Sequence, residues 1–277
     1  MKKIILSLFI LCLSFLCCAC DGDVTRELRH SGFSVGSEFI CDAFYPKNKD
    51  DTSYQKIRYY TGNHIITEQG KIYEVSTQQQ YANKSNCKVA DTNIEVEAIF
   101  DNKVVKAKDG KFYYLFADNA TTPYSEITES DNSYQIYKLL LKPETTVKVI
   151  TADSSAGLYY VLKNDGNIYG YTLNSADRNS PLTITSTNLI YNKADYGSEN
   201  LVDFNYVGDN GATFVRSNTR AFKMSATNAE ECQKYVDVAC KYQMEEFTAY
   251  SKYKDNIIAY NGSTLITKYK LIFTMGY

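Results

Sequence analysis

Tyr160-Val161-Leu162-Lys163-Asn164-Asp165-Gly166-Asn167-Ile168-Tyr169 sets two apolar and aromatic runs on either side of an Asp-Gly pair. Asp-Gly tolerates the positive φ of a tight turn, so the stretch predicts a β-hairpin. The pattern recurs at Ile65-Ile66-Thr67-Glu68-Gln69-Gly70-Lys71-Ile72-Tyr73 and at Val104-Val105-Lys106-Ala107-Lys108-Asp109-Gly110-Lys111-Phe112-Tyr113. Weaker copies run from Thr213 to Phe222 and from Ile257 to Leu265. A further short strand leads most copies, at Ile57–Tyr60, Val96–Phe100, Val147–Ile150, Val202–Tyr206 and Phe247–Tyr250. Units therefore begin near residues 57, 96, 147, 202 and 247, a spacing of roughly 39 to 55 residues. That is the size of a propeller blade.

A blade cannot bury both of its faces alone, so such units stack around an axis. The expected fold is all-β, a small β-propeller of about five blades, with a β-sandwich as the alternative. Phe33–Tyr45 and the terminal strand Thr267–Thr274 are placed to pair and close the ring, which would remove an open edge. The hairpin Leu162-Lys163-Asn164-Asp165-Gly166-Asn167-Ile168-Tyr169 resembles the regulator-of-chromosome-condensation type of propeller repeat, and the likeness extends over about residues 57–265. That family's glycine-rich flanks and terminal Trp-Gly are missing here, Tyr169-Gly170 being the nearest echo. The resemblance implies a protein-interaction platform and transfers no functional residue.

The N-terminus carries a different message. Met1-Lys2-Lys3 is positively charged, and Ile4 to Ala19 carries no charge. Sixteen such residues fall short of the roughly 20 that span a bilayer core, and the pattern is that of a signal peptide. Leu16-Cys17-Cys18-Ala19-Cys20-Asp21 resembles a bacterial lipobox, with Ala19 before the cysteine and Cys17 where leucine is more usual. The resemblance implies cleavage ahead of Cys20 and lipidation on it, and two or more acyl chains anchor stably. Residues 1–19 are then the signal peptide, 20–32 the lipidated cysteine and a tether, and 33–277 the β-repeat domain. The expected location is a cell membrane or outer membrane, with the domain outside the cytoplasm.

Loss of Lys2 and Lys3 leaves 28 basic against 32 acidic residues, a net charge of −4. No basic cluster tracks a phosphate backbone, which argues against nucleic acid as a partner. Four further cysteines remain, Cys41, Cys87, Cys232 and Cys240, an even number that permits two disulfides outside the cytoplasm. One arrangement pairs Cys41 with Cys87 and Cys232 with Cys240. Residues 229–243 also read as a helix from Asn228, which would hold Cys232 and Cys240 about 12 Å apart, beyond the ~7 Å limit of a bridge. Either that stretch is not helical and the two bond, or it is helical and they do not.

Catalytic parts are scarce. The histidines are His30, in the tether, and His64, at the head of a hairpin strand, too few for a multi-histidine metal site in the domain. No GxSxG, HExxH or phosphate-binding glycine loop is present. Asp101, Asp153, Asp209 and Asp255 recur just after the leading strands, either as a ring of acids or as ordinary loop starters. Asp109 and Asp165 belong to the turns. The 25 tyrosines, with pairs at Tyr113-Tyr114 and Tyr159-Tyr160, suit half-buried strands, and could also stack on sugars. The expectation is an envelope-anchored, non-enzymatic propeller that binds a protein or acts as a scaffold, with no cofactor. A glycan-binding module is the alternative, and a carboxylate-based hydrolase or lyase the third.

Overall fold

The computed structural model describes residues 24–78, 84–90, 93–116, 124–141, 145–174, 181–196, 199–207, 212–226, 242–262 and 264–275. The first strand, β1 (Phe33–Ile40), stands apart from four successive meanders. Unit one contains β2 (Ile57–Tyr60), β3 (His64–Thr67), β4 (Ile72–Gln78) and β5 (Lys84–Val89). Unit two contains β6 (Val96–Phe100), β7 (Val104–Ala107), β8 (Phe112–Leu115) and β9 (Tyr124–Ile127). In unit three these are β10 (Thr146–Asp153), β11 (Leu158–Lys163), β12 (Ile168–Leu173) and β13 (Ile184–Tyr191). Unit four has β14 (Leu201–Val207), β15 (Ala212–Ser217), β16 (Ala221–Ala226) and β17 (Tyr242–Glu246). The fifth combines β18 (Ile257–Tyr260), β19 (Thr264–Thr267) and β20 (Leu271–Met275) with β1 as its outer strand.

This is a five-bladed propeller. Each of the five interfaces between successive units holds its own apolar cluster. Phe100, Val149 and Val161 fill the one between units two and three, and Phe39, Tyr60 and Ile266 the one between units five and one. The other three centre on Ile66 and Ile99, on Leu162 and Phe204, and on Leu265 and Phe273. A sandwich would instead place one core between two sheets. None of the sheets closes on itself as a barrel; the ring is completed by packing and by strand pairing between units.

Every leading strand carries the same irregularity. Register slips by one residue at Arg58, Glu97, Val147, Val202 and Ile258, the second position of each leading strand. A bulge reverses the in-out alternation beyond it. Hence Val96 and Ile99 both face unit one, while Ala98 and Phe100 face unit three.

The tight turns are built alike. Gly70, Gly110 and Gly166 have φ of 85°, 88° and 79°, and each donates its N–H at 2.9 Å to the carbonyl of Thr67, Ala107 or Lys163. Two of these turns also brace the next unit, Val96 N–H reaching the Gly70 carbonyl and Leu201 N–H that of Gly166. A Cβ on Gly70 would lie 2.7 Å from Val96 backbone atoms, and one on Gly166 2.7 Å from Asn200, whereas one on Gly110 meets nothing within 4 Å.

The fifth unit is out of phase with the sequence expectation. Phe247–Tyr250, expected as its leading strand, instead enters the helix Thr248–Tyr253, and Ile257–Tyr260 leads. The matching turn is Thr267-Lys268-Tyr269-Lys270, in which Lys270 takes the positive φ (62°) that glycine holds elsewhere. β1 pairs antiparallel with β20, from Phe33↔Met275 to Glu38↔Leu271. Its other edge pairs in parallel with β5, Ile40 opposite Asn86. The next rung is covalent, because Cys41 and Cys87 form a disulfide with Cα atoms 5.3 Å apart. Part of the segment expected as a tether is folded onto the body. Residues 24–30 form a helix whose Val24 and Leu28 are buried against Ala221, Ala249 and Phe273.

Candidate functional site

The residue after each bulge occupies an equivalent place in the five leading strands: Tyr59, Ala98, Lys148, Asp203 and Ala259. Two are alanines, and the long side chains cross the space they leave. Tyr59 of unit one donates its hydroxyl to the Val147 carbonyl of unit three at 3.3 Å, spanning units that are not neighbours. Lys148 is 1% exposed, and its Nζ donates to Asp203 Oδ1 at 2.9 Å and to Asn205 Oδ1 at 2.6 Å. The Tyr59 ring centre lies 5.7 Å from the same Nζ. Asn102 Nδ2 adds a bond to Asn205 Oδ1 at 3.1 Å. Burial lowers the Lys148 pKa, and Asp203 pulls it back. With its ammonium fully engaged, Lys148 serves as a plug joining units one, three and four. It is not a free nucleophile.

A cleft of about 30 Å³ opens where β2 meets β18, walled by Arg58, Tyr60, Arg216, Tyr250, Ala259 and Tyr260 among others. A smaller one shares Arg216 and Tyr260 with it and is lined by Asp203 and Asn205. Arg58 stacks its guanidinium 4.9 Å from the Tyr59 ring centre. Arg216 Nε is enclosed and meets no acceptor.

A second feature lies at the rim. Among the described strands β9, β13 and β17 end their sheets with an open outer edge. β9 carries Glu126, paired to Lys111, and β17 carries Glu245 and Glu246, the latter paired to Arg220. β13, Ile-Thr-Ser-Thr-Asn-Leu-Ile-Tyr, has no charge over eight residues. Thr185 to Leu189 are exposed, Leu189 by 51%. Charged groups and short length are the usual guards of an edge, and β13 lacks both.

The residues singled out from sequence distribute as follows. Asp101, at φ 48°, accepts Thr151 N–H at 2.7 Å and Thr151 Oγ1 at 2.5 Å, tying unit two to unit three. Asp153 caps its own turn through Ser155 and Ala156, bonds that lower its pKa. Asp255 precedes the leading strand of its unit, in the 3-10 turn Lys254–Asn256, and Asp209 lies outside the described residues. Neither Asp101, Asp153 nor Asp255 lines the axial clefts. Asp109 and Asp165 hold their turns through Lys111 and Asn167 N–H, and each accepts a tyrosine hydroxyl, from Tyr113 and Tyr169.

His64 is buried on β3 and His30 is exposed at the end of the N-terminal helix. Tyr113 and Tyr114 pack into the clusters on either side of unit two, and Tyr159 and Tyr160 into those on either side of unit three. These rings fill interfaces between blades. Cys20, Cys232 and Cys240 lie outside the described residues. The axial layer and β13 were not singled out from sequence. The signal for the first was present: Lys148 and Asp203 each interrupt an apolar leading strand at the same offset.

Among the described residues no helix is long and apolar enough to cross a membrane. No family model matches the chain, and no curated protein matches it. Among solved structures, the β-propeller domain of Nup133 from Vanderwaltozyma polyspora is similar over 76% of this chain and 67% of that one, with 11% identity and a TM-score of 0.33. At that level of likeness the fold is carried by this chain's own strand order and interface packing.

Proposed function

We propose that this chain is an envelope-anchored, non-enzymatic propeller lipoprotein that binds a protein partner along the outer edge of unit three. The observation that carries the reading is β13, an eight-residue, uncharged and exposed edge. Its unpaired backbone groups suit an extended, uncharged segment that adds a strand to the sheet. The likeness to regulator-of-chromosome-condensation repeats points the same way, since it implies an interaction platform. The anchor is lipid on Cys20. Val24 is already docked on the body, so the leash is four residues, about 14 Å at full extension. A leash of that length holds the propeller against the membrane that carries it.

The test is a photo-crosslinking residue placed at Thr187 in the producing cells. A discrete envelope adduct is expected there. It should vanish when Leu189→Lys is added, and be absent with the probe at Tyr54. An adduct that is indifferent to Leu189→Lys would sink the edge as the docking site. Cys20→Ala should abolish labelling with palmitate, and retained label would remove the anchor.

A further inference from the structure

Arg58 and Arg216 line one cleft at the junction of units one, four and five, and among the described residues no aspartate or glutamate lines it. Ala259, which lines the cleft, stands where other units place Tyr59, Lys148 or Asp203. The cleft's other polar side chains belong to Tyr60, Tyr250 and Tyr260. The Tyr260 hydroxyl donates to the Gly262 carbonyl, and no carboxylate among the described lining residues competes for the two guanidinium groups. Among the described residues Arg58 forms no ion pair and rests on the face of Tyr59. Arg216 is held by Tyr250 and feels Asp203 across the second cleft, while its Nε lacks an acceptor. Guanidinium groups in such a setting match a two-oxygen anion through paired N–H donors. The volume, about 30 Å³, holds one or two water-sized atoms. So small a space favours the smallest two-oxygen anion, a carboxylate, over the larger tetrahedral phosphate.

We propose that this axial cleft is a carboxylate-binding site, with Arg58 at its mouth and Arg216 at its base. The carboxylate belongs either to a small free acid or to the C-terminus of a peptide, and both share one chemistry. The site is separate from the edge of unit three, so either can fail alone.

The test uses the mature lipidated protein in detergent micelles, titrated with formate at constant ionic strength and followed by thermal midpoint and calorimetry. Inorganic phosphate is run in parallel, with short uncharged peptides bearing a free or an amidated C-terminus. Saturable formate binding, absent for phosphate and weakened at least tenfold by Arg58→Gln, supports a free acid. Binding confined to the free-ended peptide, with the same dependence on Arg58, supports a peptide terminus. Arg58→Gln, near the surface, keeps the test valid if Arg216→Gln fails to fold. The proposal is overturned if neither probe saturates, if phosphate binds as well as formate, or if Arg58→Gln leaves binding unchanged.

Discussion

Removing Asp203 should show how much the plug contributes to the ring. Asp203→Ala takes away the carboxylate 2.9 Å from the Lys148 ammonium and leaves that charge sealed, with Asn205 as its remaining close oxygen. Breaking one partner of a buried pair costs about 3–5 kcal/mol, a large part of the ~5–15 kcal/mol that holds a typical domain. The double variant Lys148→Met/Asp203→Leu removes both charges. Asn205 Oδ1 then keeps the Asn102 amide as its donor, so no acceptor is stranded. The double variant still takes a nearby carboxylate from Arg216 and an acceptor from Phe204 N–H, so it should lose stability, but less than the sum of the two singles by a coupling energy of at least ~2 kcal/mol. Urea unfolding followed by far-UV circular dichroism measures this, with the slope required to stay constant across the set. A single-variant loss below about 1 kcal/mol would refute the reasoning. So would a double variant that loses the sum of the two singles.

Three further outcomes are expected. Breaking the Cys41–Cys87 bond, which closes a loop of sequence separation 46, should cost about 4 kcal/mol in the chain-entropy treatment, read from urea midpoints with and without reductant. Burial pushes the Tyr60 phenol up to about 12, above its unfolded value of about 10. Its raised value in the folded state means that stability is intact below pH ~10 and is lost as pH climbs through ~12. The loss is roughly 3 kcal/mol, and Tyr60→Phe should flatten the profile by that amount in urea midpoints taken across this range. Gly166→Ala should cost at least ~1 kcal/mol more than Gly110→Ala, because both suffer the left-handed backbone but only the first strikes the next unit. Equal losses in thermal denaturation would contradict this.

The first three hairpins were legible because their chemistry is local: Gly70, Gly110 and Gly166 each meet a positive φ between apolar runs. The fifth was misphased because Lys270 holds that φ without the glycine that signals it. The helix Thr248–Tyr253 was read as a strand because its aromatic residues suit either state, and docking against Phe33 and Tyr260 decides it. The axial layer depends on which residue each bulge turns inward, a property of strand pairing between residues far apart in the chain. Sequence spacing alone does not carry it. The edge character of β13 likewise follows from its last place in the sheet, although its lack of charge is visible in the string.

The fifth blade has a consequence for the order of assembly. β1 is synthesised well before β20, its antiparallel partner. Through most of synthesis one edge of β1 is bare, in a fold whose final contact joins Phe33 to Met275. Long loops close slowly, and a bare edge recruits other chains. The partner on the opposite edge arrives much earlier, since β5 follows within the first unit and the Cys41–Cys87 bond can tie the two at once. The bond thus acts as a holding clamp. It parks the first strand at its eventual seam, so the last strand to emerge inserts into a waiting slot and does not have to search for a free end.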